Sequence, residues 1–146
     1  MRAKRNGAAL QWAMSALSGA SLLFLAQDVR AATYVVDDTA DAVDTSPGDG
    51  VCASASASCT LRAAIQEVNA APSASGDSIE LPAGTFALSL TGGGEDAAAS
   101  GDLDITTSLV ISGASAGETV IDGGKIDRVL DVGPGLGAAA AGIEVT

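Results

Sequence analysis

The residue types that could do chemistry in this chain are few, and most are carboxylates: 18 Asp and Glu stand against seven Lys and Arg, with no His among 146 residues. Without imidazole there is no Ser-His-Asp triad, no Cys-His pair and no His metal ligand. Asp102 and Asp104 flank Leu103. On a strand the two carboxylates share one side about 7 Å apart, the separation of an inverting acid–base pair. The same stretch, Gly101-Asp102-Leu103-Asp104, also reads as an ordinary strand start with its polar face in water. A second constellation places Asp37, Asp38, Asp41, Asp44 and Asp49 in one turn-rich loop. Hard oxygen ligands at that density suit Ca²⁺, although the spacing is not that of an EF-hand; solvation of an exposed loop is the competing reading. Gly92-Gly93-Gly94 and Gly133-Pro134-Gly135-Leu136-Gly137 supply neither a P-loop Lys nor a dinucleotide fingerprint, and read as corners.

The elements that must hold these groups begin with a segment to be removed. Arg2, Lys4 and Arg5 form a basic start, Trp12 to Ala26 is mostly apolar, and Val29-Arg30-Ala31 places small residues before a cut. This is the layout of a secretory signal over 1–31, with the mature chain starting at Ala32; a cut after Ala32 is the close alternative. The apolar run, broken by Ser15, Ser18, Gly19 and Ser21, is short for a bilayer crossing. Past the signal the chain keeps Arg62, Lys125 and Arg128 against 17 acids, a net charge of −14. Such an excess repels nucleic acid and anionic lipid, and fits divalent cations or neutral and cationic surfaces. Export in turn favours a disulfide between Cys52 and Cys59, seven residues apart in an Ala/Ser loop. Two thiols with no His cannot complete a zinc shell.

One amphipathic helix follows, Thr60 to Ala71, stopped by Pro72. Leu61, Ala64, Ile65 and Val68 share its apolar face, Thr60 is its N-cap, and Arg62 and Glu67 fall on the polar side. From Ser78 onward the pattern has period two: Ile79/Leu81, Phe86/Leu88/Leu90, Leu103/Ile105, Leu109/Ile111, Val120 with Ile121, Val129 to Val132 and Ile143/Val145, with Gly, Pro, Asp and Ser between. Ile79/Leu81 recurs 24 positions on as Leu103/Ile105, and Leu130/Val132 follows at 27. A right-handed parallel β-helix and an antiparallel β-sandwich both satisfy this pattern. Of the large aromatics, Tyr34 and Phe86 remain past the signal, with Phe86 expected in the core.

Cys59-Thr60-Leu61-Arg62-Ala63-Ala64-Ile65 with Asn69-Ala70, followed by Asp77-Ser78-Ile79-Glu80-Leu81-Pro82-Ala83-Gly84-Thr85-Phe86, resembles the amino-terminal module of bacterial exported proteins named for a Cys-Ser-Leu-Arg-Glu-Ala motif. Glu95-Asp96, Gly101 to Ile105, Ile111-Ser112-Gly113-Ala114, Ile121-Asp122-Gly123 and Asp127-Arg128-Val129 resemble that family's next two coils. Thr60 stands for its Ser and keeps the cap; Ala63 stands for its Glu and removes half of a capping box. The resemblance implies a pectin-lyase-like, right-handed parallel β-helix, secreted or displayed on the cell surface. Enzymes of that fold include lyases with an Arg or Lys base beside calcium, which Asp127, Arg128 and Lys125 could imitate, and hydrolases with paired Asp; a surface ion pair is the commoner meaning of Asp127-Arg128.

The expected organisation is therefore a signal over 1–31, a cap with acidic loop, disulfide and helix over 32–77, and the first coils of an all-β parallel solenoid over 78–146. The last stretch, Gly142 to Thr146, reads as a strand in mid-course, so a truncated member is expected, whose open coil pairs with missing coils or another chain. The expected function is a structural or adhesion scaffold with no chemistry of its own, meeting an extracellular polysaccharide or protein. The amino-terminal part of a carbohydrate-active enzyme and a calcium-stabilised surface-binding module are the alternatives.

Overall fold

A computed structural model describes residues 30–73 and 75–133, and the backbone of 143–145. The signal segment, apart from Arg30 and Ala31, and the low-complexity run 138–141 lie outside the described residues. Eight short strands and one helix follow in order: β1 (Thr33–Val35), α1 (Leu61–Ala70), β2 (Asp77–Leu81), β3 (Gly84–Ala87), β4 (Leu103–Ile105), β5 (Leu109–Gly113), β6 (Thr119–Asp122), β7 (Leu130–Val132) and β8 (Ile143–Val145). They form a four-stranded sheet β1-β2-β5-β8 and two-stranded sheets β3-β6 and β4-β7. Each of β2, β3 and β4 thus lies beside the strand three places later.

Every ladder among the described residues is parallel, with Tyr34 against Ile79, Ile79 against Ile111, Phe86 against Ile121, and Leu103 against Leu130. The antiparallel sandwich is therefore not formed. The spacing of 24 residues is corrected as well: Ile79/Leu81 lies in β2 and Leu103/Ile105 in β4, which belong to different sheets. Two-residue apolar alternations are too degenerate to mark which strands are neighbours. The spacing of 27 is a true rung, joining β4 to β7.

The inward residues of the strands, with Val36 just past β1 and Leu88 just past β3, make one core, Tyr34, Val36, Ile79, Leu81, Phe86, Leu88, Leu103, Ile105, Leu109 and Ile111, closed by Leu61, Ala64, Ile65 and Val68 of α1. The helix packs against β2 and β4. Burial of each large side chain contributes about 1.5–3 kcal/mol before entropy is counted. Thr60 caps α1 as expected: its hydroxyl accepts from the Ala63 N–H at 3.1 Å and donates to the Ala42 carbonyl at 2.6 Å. The expected polar face does not exist, because Arg62 and Glu67 are buried as fully as Leu61. The cap loop on one side and the 95–101 loop on the other cover the helix face turned away from the strands. Cys52 and Cys59 form the disulfide, with Cα atoms 5.0 Å apart.

Candidate functional site

Two polar clusters surround the junction of α1, the cap loop and β4. Arg62, in the first turn of α1, extends its guanidinium between the cap loop and the segment before β4. Nε donates to Asp41 Oδ1 at 2.5 Å and Nη2 to Asp41 Oδ2 at 3.2 Å. The remaining N–H groups reach the carbonyls of Ala98 (3.1 Å), Gly101 (2.9 Å) and Asp102 (3.2 Å). Gly101 meets this geometry through a φ of +66°, and a Cβ there would fall 2.4 Å from the Gly92 carbonyl oxygen. Asp41 also accepts the Ser89 and Leu90 N–H groups, at 2.7 and 2.9 Å. Burial pushes the Asp41 carboxyl up, but Arg62 and these two amides outweigh it and hold the group below the usual carboxylate range.

The second cluster joins Asp102 and Asp104 to a residue that the candidate pair did not include. Asp104 and Asp131 occupy one rung of the β4–β7 ladder, and Asp102 precedes them on the same side. One carboxylate oxygen from each of the three lies within 4.8 Å of the others. Asp102 and Asp104 are buried rather than facing water, because the 95–101 loop folds over the outer side of β4; the Ala98 N–H donates to Asp104 Oδ2 at 2.9 Å. Burial, with the charges of Asp102, Glu95 and Asp131 adding to it, pushes the Asp104 carboxyl up. Arg128 neutralises the other two members, Nε donating to Asp102 at 2.5 Å and Nη2 to Asp131 at 2.9 Å. Its partners are thus across the ladder and one turn on, not Asp127, whose Oδ1 accepts the Arg128 backbone N–H at 2.8 Å.

The two carboxylates read from spacing as an acid–base pair are thus part of a group of three. Asp102 is engaged by Arg128 and Asp104 by the Ala98 amide. The trio could hold a hard cation, provided that Arg128 withdrew from two of its members.

The acidic loop is organised by its own backbone. Asp37 accepts from the Cys59 N–H at 2.8 Å, and Asp38 from the Ala40 N–H at 2.9 Å and the Ser58 hydroxyl at 2.7 Å. Asp44 bridges Ser46 and Ala53, both N–H groups at 2.7 Å, while Asp49 accepts from Val51 at 2.8 Å. With Asp41 taken by Arg62, the five carboxylates are engaged by different donors, and among the described residues no three of them come together as a cation group. Glu67 has a similar role from the helix side: its oxygens accept the Gly48 and Gly50 N–H groups, each at 2.8 Å. Burial pushes the Glu67 carboxyl up against those two amides, and the Asp44 and Asp49 charges add to the rise.

Two cavities lie apart from the acidic trio. One of about 200 Å³ is lined by Leu81, Ile111, Gly113, Ala116, Thr119 and Ile121. The other, about 360 Å³, sits at the carboxyl end of α1 beside Gln66, Asn69 and Thr106. Of its polar wall, Asn69 is already engaged: it donates to the Asp104 carbonyl at 2.7 Å and accepts from the Thr106 N–H at 3.0 Å.

Sequence reasoning placed Asp102 and Asp104 together, and missed the burial of Arg62 and Glu67 and the half-buried Asp131 beside the pair. A signal for Asp131 existed, since Leu130-Asp131-Val132 repeats Leu103-Asp104-Ile105. No helix among the described residues is long and apolar enough to cross a membrane. Comparison with models of known families, with curated proteins and with solved structures finds no match to this chain.

Proposed function

We propose that this chain is an exported or cell-surface scaffold module, the capped first coils of a right-handed parallel β-helix of the Cys-Ser-Leu-Arg-Glu-Ala kind, with no chemistry of its own. One observation carries the reading. The buried charged side chains around α1 and β4 are engaged by the chain itself: Arg62 by Asp41 and three carbonyls, Glu67 by two loop amides, Asp102 by Arg128 and Asp104 by the Ala98 N–H. An active site keeps a base or acid within reach of substrate; here each of these groups fastens a loop to the stack. The parallel succession of three strands per repeat and the disulfide support the fold and the exported setting of the proposal. Its partner is a neutral or cationic extracellular polysaccharide or protein, in keeping with the acidic surface.

The test is to incubate the exported protein with a panel of plant, bacterial and animal polysaccharides. Retention on one or more of them, or on a cell-surface protein fraction, with no new reducing or unsaturated sugar ends, is the expected result. Release of such ends, abolished by Asp102→Asn or Asp104→Asn, would replace the scaffold with the carbohydrate-active reading.

A further inference from the structure

Ala32, just before β1, is held by a buried acid that has no ion-pair partner among the described residues. Asp77 opens β2 and is 2% exposed. Its Oδ1 accepts the Ala32 N–H at 2.7 Å and its Oδ2 the Ser73 N–H at 3.0 Å. Among the described residues the ion pairs are Arg62–Asp41, Arg128–Asp102 and Arg128–Asp131, so Asp77 has backbone amides but no ion-pair partner. A buried carboxylate without a countercharge is costly. The neighbouring Tyr34 on β1 feels the negative charge of Glu67 on α1, of Asp77, and of Asp44 and Asp49 in the cap loop. Ala32 is also fixed through its carbonyl, which accepts the Ser78 N–H at 2.9 Å, while Arg30 and Ala31 are exposed.

We infer that Ala32 is the mature amino terminus and that its ammonium is the missing cation of Asp77, so that signal removal completes the fold. The inference rests on the exported reading above. In the precursor the Ala32 nitrogen is a neutral amide donor. Hydrolysis of the Ala31–Ala32 bond by a signal peptidase adds water across it: the hydroxyl goes to the Ala31 carbonyl carbon, the hydrogen to the Ala32 nitrogen. The released amine takes up a further proton from solvent and becomes an ammonium, with three donors at a position already 2.7 Å from Asp77 Oδ1. Of the two cuts the sequence allows, the one after Ala32 would remove both the bond to Asp77 and the one from Ser78. The structure therefore favours the cut after Ala31.

The experiment uses the full precursor, expressed in a host that exports it, with the secreted product sequenced from its amino end and its α-amine titrated by ¹⁵N-alanine NMR. A product beginning at Ala32, with an α-amine midpoint at least about one unit above the ordinary value near 8, is expected. Because that folded value is raised, the associated stability is present below pH 8 and is lost as pH rises through the folded midpoint. Tyr34 stays outside this window, since burial and then the nearby acids push its phenol above its ordinary value. Asp77→Asn should return the midpoint to the ordinary value; if that variant does not accumulate, the wild-type titration decides alone. A product starting at any other residue, or an Ala32 amine with an ordinary or lowered midpoint, overturns the latch and leaves export intact. A chain that is neither exported nor cut overturns both.

Discussion

Replacing Arg62 by Met should damage this protein more than any other single change to a charged residue. The side chain is 1% exposed, and its five N–H groups, the full complement of a guanidinium, meet Asp41 twice and three carbonyls once each. Met fills much of the stem volume but leaves Asp41, whose side chain is 2% exposed, with only the Ser89 and Leu90 amides. Removing one partner of a buried pair costs about 3–5 kcal/mol, and each carbonyl that stays dry and unpaired adds about 1–3 kcal/mol. The 98–102 segment can rehydrate by lifting away, so about 4 kcal/mol is the working figure for the sum. With a urea slope of about 2 kcal/mol/M, the unfolding midpoint should fall by about 2 M. Arg62→Lys keeps the charge but not the fork, and should fall between. Because the folded-state value of Asp41 is depressed, its contribution is full above the unfolded value near 4 and is lost as pH falls through the folded one; Arg62→Met should lose that acid limb. An Arg62→Met midpoint within about 0.5 M of wild type would refute the clasp, since it would limit the loss to about 1 kcal/mol.

Other changes separate the parts of the network. Asp104→Asn keeps an acceptor for the Ala98 N–H and removes repulsion from Asp102, Glu95 and Asp131, so thermal unfolding at pH 7 should show a higher Tm than wild type. The folded-state value of Asp104 is raised, so its ionised form opposes folding at pH 7, and the advantage of Asn should shrink as pH falls through that value. Thr60→Ala removes the cap on Ala63 and the bond to Ala42; a loss of about 1–2 kcal/mol is expected by urea unfolding. Reducing Cys52–Cys59 frees a short loop and should lower stability by about 2–3 kcal/mol in the chain-entropy view, read by calorimetry with and without a thiol reductant. Millimolar Ca²⁺ should leave Tm unchanged, because Arg128 already neutralises Asp102 and Asp131 while the loop carboxylates face separate amides; a rise of several degrees would favour a calcium-stabilised module.

The helix, its cap and the disulfide were legible in the sequence because each rests on neighbours: Thr60 three residues before Ala63, Pro72 after Ala71, and two cysteines in one loop of small residues. Strand positions from β2 onward were legible for the same reason, as alternation is local; β1, inside the stretch read as a cap, is only three residues long and was missed. Strand partners were not legible. The rungs join residues 32 apart at Ile79–Ile111, 35 at Phe86–Ile121 and 27 at Leu103–Leu130, because the loops differ in length and no single period runs through them. Charge placement was harder still. Helix periodicity puts Arg62 and Glu67 opposite Leu61 and Ile65, and in a two-layer packing that side meets water. Here the cap loop covers it, and the covering comes from Asp41, Gly48 and Gly50, whose contact with the helix depends on tertiary structure alone. Asp102 and Asp104 were found as a pair from their spacing, but their burial depends on Ala98, folded over them by a Gly-rich loop.

The parallel register underlies the scaffold, the clasp and the placing of the acidic trio, and methyl NOE spectroscopy on the folded protein reads it directly. Contacts of Ile111 with Ile79, of Ile79 with Tyr34 and of Leu103 with Leu130 are the result this account predicts. Contacts that instead set Ile79 beside Leu103, or short Hα–Hα contacts across antiparallel neighbours, would contradict it.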